Sequence, residues 1–62
     1  MNVVMNKVWF EVKCICVKEN PSLDMRVGDV ELLAKVKSPG NAHRVAAELQ
    51  QVYKDYCIVY VA

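Results

Sequence analysis

Three cysteines and one histidine are the residues of this chain that could hold a metal ion or act as nucleophiles. Cys14 and Cys16 form a Cys-x-Cys pair, and Cys57 and His43 lie further along the chain. Thiolates and imidazoles are preferred ligands of Zn²⁺, and a structural site needs four of them converging at about 2.0 to 2.3 Å. The residue types alone would therefore allow a zinc site.

The elements that carry these residues argue against zinc. Cys14 and Cys16 fall within an extended segment, whereas His43 opens a predicted helix and Cys57 follows its end. About fourteen helical residues at roughly 1.5 Å each would place His43 and Cys57 about 20 Å apart. We therefore predict buried structural thiols and no metal site.

The sequence predicts no catalytic or cofactor-binding residues. His43 is the single histidine, and spacing alone places no thiol or serine beside it. Asp24, Asp29 and Glu31 lack the glycine and ligand rhythm of a calcium loop. The sequence also contains no glycine-rich phosphate loop. We expect a protein that is not an enzyme and that uses no cofactor.

Length and composition indicate one small, core-forming domain. The chain has 62 residues, of which 55% are hydrophobic and 24% charged, and its net charge is +1. This balance favours neither nucleic acid, acidic substrates nor an anionic membrane. The start MNVVMNK lacks the features of a secretory signal, and no window has the length of a membrane span. We expect a cytoplasmic protein of the producing or host cell, with reduced cysteines and no membrane partner.

A period-two pattern predicts two strands around a turn. Residues 6–18 have a period of two and a β-branched and aromatic composition, which indicates the first strand. Pro21 lacks an amide proton and interrupts the pattern within residues 19–24. The alternation resumes at about Met25, so we predict an antiparallel hairpin in which Gly28 marks a bulge.

A helix and a last strand are predicted after the hairpin. The Ser38 hydroxyl suits an N-cap and Pro39 the first helical position, with a start at Asn41 as the alternative. Helical spacing then relates the apolar residues Ala42, Val45, Ala46, Leu49, Val52, Tyr53 and Tyr56. The closing CIVYVA, residues 57–62, has the composition of a strand.

The element order β-β-α-β over residues 1–62 limits how the sheet can close. Strand three runs opposite to strand one, so placing them side by side gives a three-stranded antiparallel sheet of order 2-1-3 with a right-handed crossover. The helix covers one face of this α+β fold. A parallel pair of strands two and three is the alternative. The predicted core combines the even residues of strand one and the helix stripe with Val30, Leu32, Ala34 and Val36.

A single helix leaves the other face of such a sheet uncovered. There we expect the partner-binding residues Trp9, Ile15, Val17, Leu33, Ile58 and Tyr60, although the opposite alternation would expose Val59 and Val61. An exposed apolar patch of several hundred Å² usually marks an interaction surface. The last strand carries no lysine or proline to protect its outer edge, which favours pairing with a second copy or another protein. The alternative is that residues 1–5 fold back over this face.

These expectations favour a small protein-binding module. It would be a homodimer, or an inhibitor, antitoxin-like or adaptor protein that occupies a larger target, for which a phage or mobile element is one setting. The rival hypothesis is single-stranded RNA or DNA binding by the basic and aromatic residues Lys7, Trp9, Lys13, Lys35 and Lys37. Glu11 and Glu31, predicted on the same face, argue against that rival.

Overall fold

The computed structural model describes residues 9–62. That part of the chain forms an antiparallel sheet of order β2-β1-β3. Its elements are β1 (Phe10–Cys16), β2 (Val30–Val36), α1 (Pro39–Tyr53) and β3 (Cys57–Val61). The predicted α+β fold and strand order are confirmed, and the alternative with β3 parallel to β2 is wrong. The predicted start of β1 at Asn6 lies outside the described residues.

Local sequence explains where α1 begins. The Ser38 hydroxyl accepts a hydrogen bond from the Asn41 amide at 3.4 Å, and Pro39 occupies the first turn. Proline tolerates this position because the first helical amides have no partner within the helix. The predicted N-cap is confirmed, and the alternative start at Asn41 is wrong.

The connection between β1 and β2 is longer than predicted. Pro21–Leu23 forms a 3₁₀ turn that begins at Asn20, whose side chain accepts from the Ser22 amide at 3.1 Å. Met25 forms an isolated bridge with Asn20, and β2 begins five residues later. The predicted start of strand two near Met25 is therefore wrong.

Gly28 forms a bulge where the two strands meet. Its amide donates to the Cys16 carbonyl at 2.8 Å, and the Cys16 amide donates to the Asp29 carbonyl at 2.8 Å. Gly28 and Asp29 thus both lie opposite Cys16, and Gly28 has φ +94°. This is the arrangement of a G1 bulge, in which glycine adopts the left-handed conformation without a side-chain clash. The predicted bulge at Gly28 is confirmed.

A second bulge, which the sequence pattern did not predict, changes the faces of β2. Val12 pairs with Ala34 and the next residue, Lys13, pairs with Leu32, so Leu33 has no direct partner. Leu33 and Ala34 consequently both pack towards the helix. Before the bulge in the chain, the alternation of faces is the reverse of the predicted one. Val30 and Leu32 therefore keep 54% and 47% of their surface exposed. The predictions of Val30 and Leu32 in the core and of Leu33 on the opposite face are therefore wrong.

The core lies between the sheet and α1 in two adjoining clusters. In the first, Val12, Ala42 and Ala46 are buried, and the surrounding side chains include Phe10, Val36, Val45, Leu49, Val59 and Val61. In the second, Cys14, Cys16 and Cys57 are buried beside Met25, Leu33, Tyr53, Tyr56 and Val59. The buried residues of α1 are both alanines, Ala42 and Ala46. Val52, predicted in the apolar stripe, is 71% exposed and lies outside this core.

Candidate functional site

The sheet face that lies opposite the helix is the main candidate for a functional site. We call it the open face and the helix side the covered face. Because Val12, Cys14 and Cys16 are buried on the covered face, their odd-numbered neighbours in β1 point to the open face. The register places Val30 and Ile58 on either side of Ile15. A row of three β-branched side chains therefore crosses the whole sheet.

Apolar side chains continue around this row. Leu32, Lys13 and Tyr60 form the next row across the strands, and Val17 follows Ile15 along the chain. The large hydrophobic residues of the open face with substantial exposure are Trp9 (45%), Val17 (43%), Val30 (54%), Leu32 (47%) and Ile58 (53%). Val30, Ile15, Ile58 and Leu32 lie in adjacent rows, whereas the Glu11–Lys35 pair lies between these rows and Trp9. Single exposed apolar residues are ordinary, but a contiguous group such as these four on one face is not.

Charged residues lie at the other end of the open face. Glu11 pairs with Lys35 across the strands, and its carboxylate lies 3.9 Å from the Lys13 ammonium. The Lys37 ammonium lies 5.0 Å from the centre of the Trp9 ring, within the range of a cation–π contact. Three lysines against one glutamate give this end of the open face a positive charge.

The outer edge of β3 is partly closed by Gln50 of α1. Its side-chain amide donates to the Cys57 carbonyl at 2.8 Å and accepts from the Val59 amide at 2.8 Å. These are the backbone groups that an added strand would need. The edge that the sequence pattern left unprotected is thus occupied by a helix side chain at Cys57 and Val59. The open face, rather than this part of the edge, is the more accessible surface.

Most of the predicted partner-binding residues meet on the open face. Trp9, Ile15, Val17, Ile58 and Tyr60 lie there together, whereas Leu33 packs in the core. Sequence reasoning missed Val30 and Leu32, since the adjacent leucines Leu32 and Leu33 fit either alternation equally well. Of the predicted nucleic-acid-binding residues, Trp9, Lys13, Lys35 and Lys37 lie on this face, and Lys7 lies outside the described residues.

Glu31 is also displaced by the second bulge. It pairs with Cys14, whose side chain is buried on the covered face, so Glu31 lies on the covered side at the margin of the sheet. The prediction that Glu31 shares a face with Glu11 is therefore wrong. The open face loses an acid and gains Val30 and Leu32, so it is both more apolar and more positive than the sequence indicated.

Comparison with known proteins gives no relative from which residue roles could be transferred. No family model, curated protein or solved structure matches this chain. Any functional assignment must therefore come from the geometry of its own residues.

The buried thiols form the second notable cluster. Burial is the main cause that raises the pKa of the Cys14 thiol, and it raises the pKa of Cys57 to about 11, with neighbouring thiols adding to the effect. Buried thiols with raised pKa are poor nucleophiles. Within residues 9–62, no group of His, Cys, Asp and Glu side chains is arranged to hold a metal ion. His43 is exposed in the second turn of α1.

No helix within 9–62 combines the length and the hydropathy that crossing a bilayer requires.

Proposed function

We propose that this chain is a small protein-binding module that acts through its open face. The observation that carries this proposal is the group of large apolar side chains, from Trp9 at one end to Val17 and Ile58 at the other, that keep 43% to 54% of their surface exposed. Burying apolar surface contributes about 25 cal/mol per Å², so such a group favours association strongly. A module of this kind can work as an inhibitor or an adaptor by occupying the surface of its target.

Charge favours a different protein over a second copy as the partner. Lys13, Lys35 and Lys37 outnumber Glu11 on the open face, so two copies that stack face to face would bring like charges together. Such contacts cost free energy, whereas carboxylates at the rim of a different partner would pair with the lysines. We therefore propose a partner with an apolar centre and an acidic rim. Edge pairing of two copies through β3 would first have to displace Gln50.

Trp9 is the proposed anchor of this surface. Large aromatic side chains contribute most to interface energetics when they become desolvated. The cation–π contact with Lys37 orients the ring while nearly half of its surface stays exposed. The Trp9→Ala variant should bind its partner about 2 kcal/mol more weakly, which corresponds to roughly a 30-fold higher Kd.

Affinity capture followed by binding measurements tests this proposal. Proteins from the native cell are captured on the wild-type chain and on a Leu32→Lys variant, with Gln51→Lys on the exposed side of α1 as the matched control. We expect the partner to bind the wild type and the Gln51→Lys control and to be lost with Leu32→Lys. The Kd for Trp9→Ala is then measured, and circular dichroism confirms that each variant is folded.

Two results would contradict the proposal. One is a partner that binds the folded Leu32→Lys and Trp9→Ala variants as tightly as the wild type. The other is a partner whose binding is lost with Gln51→Lys, because that result would move the site to the helix.

Nucleic acid is the alternative ligand of the open face, and the salt dependence of oligonucleotide binding tests it. The position of Lys37 beside Trp9 resembles a basic and aromatic platform for a base. Labelled single-stranded oligonucleotides are added at two salt concentrations. Binding that strengthens as salt falls and is lost with Trp9→Ala would favour nucleic acid. We expect no affinity at low salt, since the net charge of the whole chain is only +1.

A further inference from the structure

The pairing of β1 with β3 brings two cysteines directly opposite each other. Cys16 is the register partner of Cys57. Glu11 and Ala62 exchange both backbone hydrogen bonds, and the Val17 amide donates to the Tyr56 carbonyl at 2.9 Å. Because hydrogen-bonded and non-hydrogen-bonded pairs alternate, Cys16 and Cys57 form a non-hydrogen-bonded pair.

Such a pair has the dimensions of a disulfide. The Cα atoms of a non-hydrogen-bonded pair lie about 4.5 Å apart, and disulfides span Cα separations of about 4.4 to 6.8 Å. Both side chains point to the covered face, where each residue is 1% exposed. No backbone movement is needed to bring the two residues within range.

The third cysteine is less well placed. Cys14 and Cys57 are buried in the same cluster as Cys16. Cys14, however, pairs with Val59, so its position relative to Cys57 is diagonal. Diagonal neighbours lie about 7 to 8 Å apart, beyond the usual span of a disulfide. The register therefore selects Cys16 over Cys14.

We propose that Cys16 and Cys57 form a reversible disulfide that links β1 to β3, leaving Cys14 as a free thiol. The oxidant is a low-molecular-weight disulfide such as oxidised glutathione. One protein thiolate attacks it, forms a mixed disulfide and releases one reduced glutathione. The second protein thiolate then attacks the mixed disulfide and releases another. Two protein thiols are thus oxidised to one disulfide while one glutathione disulfide is reduced to two thiols.

Burial makes this reaction slow in the folded chain. The Cys16 thiol donates to the Lys18 carbonyl at 3.3 Å and is shielded from solvent. Attack on an external disulfide therefore requires β3 to separate transiently from β1. Closing the sheet then aligns the two sulfurs for the second step. We expect a low concentration of urea, which increases opening, to accelerate oxidation.

Mass spectrometry of the oxidised chain tests the proposal. The native protein is incubated with oxidised glutathione, quenched with acid, alkylated and digested with trypsin. We expect a peptide of residues 14–18 linked to residues 55–62, with the alkyl group on Cys14. Dithiothreitol should restore three alkylatable thiols. Because the link closes a loop of roughly forty residues, the oxidised form should unfold at a temperature higher by about 15 to 30 °C.

Single substitutions identify which two cysteines form the disulfide. Cys14→Ala should form the cross-link as the wild type does, whereas Cys16→Ala and Cys57→Ala should not. The proposal is overturned if the wild type keeps three alkylatable thiols, if it gives glutathione adducts alone, or if Cys14 is found in the principal link. The peptide map of the wild type decides the question even where a variant fails to fold.

Discussion

The covered and open faces of β1 differ sharply although their residues alternate along the same strand. On the covered face Val12, Cys14 and Cys16 retain at most 1% of their exposure. On the open face Glu11, Lys13 and Ile15 are partly exposed, and Trp9 and Val17, which flank β1, retain 45% and 43%. The residue types do not explain this difference, since both faces carry large apolar groups. The difference follows from the single helix, which packs on one side of the described sheet.

The contrast separates the side of the sheet that forms the core from the side that we propose binds a partner. The covered face supplies the core, so substitutions there should act on folding. The open face leaves apolar surface in water, so substitutions there should act on association. A domain of this size buries only about 60% of its unfolded surface, and it therefore has little stability to spare.

The largest expected effect comes from placing the same charge on each face. Val12→Lys would bury an unpaired ammonium against the helix and should lower the free energy of unfolding by more than about 3 kcal/mol. Val30 is 54% exposed, so Val30→Lys should change the free energy of unfolding by less than about 1 kcal/mol. Urea unfolding followed by circular dichroism compares them. Equal destabilisation by both variants would contradict the conclusion that Val12 is buried and Val30 is exposed.

Alkaline pH gives a second, smaller test of the covered face. Burial raises the pKa of Cys57 from 9.0 to about 11. Between these values the unfolded chain loses this proton while the folded chain keeps it, so stability falls as pH rises. The expected loss is roughly 2 to 3 kcal/mol by pH 11 and is absent below pH 9.

The matched variant for the pH test is Cys57→Ala. Its unfolding free energy should fall less steeply between pH 9 and pH 11, as measured by urea titrations across that range. Some slope should remain because burial also raises the pKa of Cys14 and Tyr53. Identical slopes in the wild type and the variant would show that Cys57 does not titrate as a buried thiol.

The smallest expected effect comes from removing Gln50, the helix side chain that occupies the outer edge of β3. Gln50→Ala removes the side-chain hydrogen bonds to Cys57 and Val59 and should cost about 1 to 2 kcal/mol. It also frees backbone groups of β3 for another strand, so sedimentation should detect self-association. The neighbouring exposed Gln51→Ala is the control and should do neither. A monomeric Gln50→Ala variant of unchanged stability would contradict this role.

Much of the fold follows from local signals in the sequence. The Ser38-Pro39 pair predicts where α1 begins, and the direction of each element leaves few ways to close the sheet. Gly28 predicts the first bulge because glycine adopts positive φ values that few other residues tolerate, and the structure has φ +94° there.

Other features depend on tertiary contacts that no local signal specifies. Leu32 and Leu33 are equally apolar, so the second bulge is decided by which leucine fits against the helix. The edge protection by Gln50 joins residues seven and nine positions apart. The meeting of Cys14, Cys16 and Cys57 depends on the register between β1 and β3, which alternation alone does not fix.

The solvent exposure of individual methyl groups tests the central claim most directly. A soluble paramagnetic probe is added to the methyl-labelled chain at a concentration where it sediments as a monomer. We predict strong relaxation enhancement for Val30, Leu32 and Ile58 and weak enhancement for Val12. Methyl groups of Leu32 and Ile58 that are as protected as those of Val12 would contradict the account, because the open face would then be covered by the chain itself.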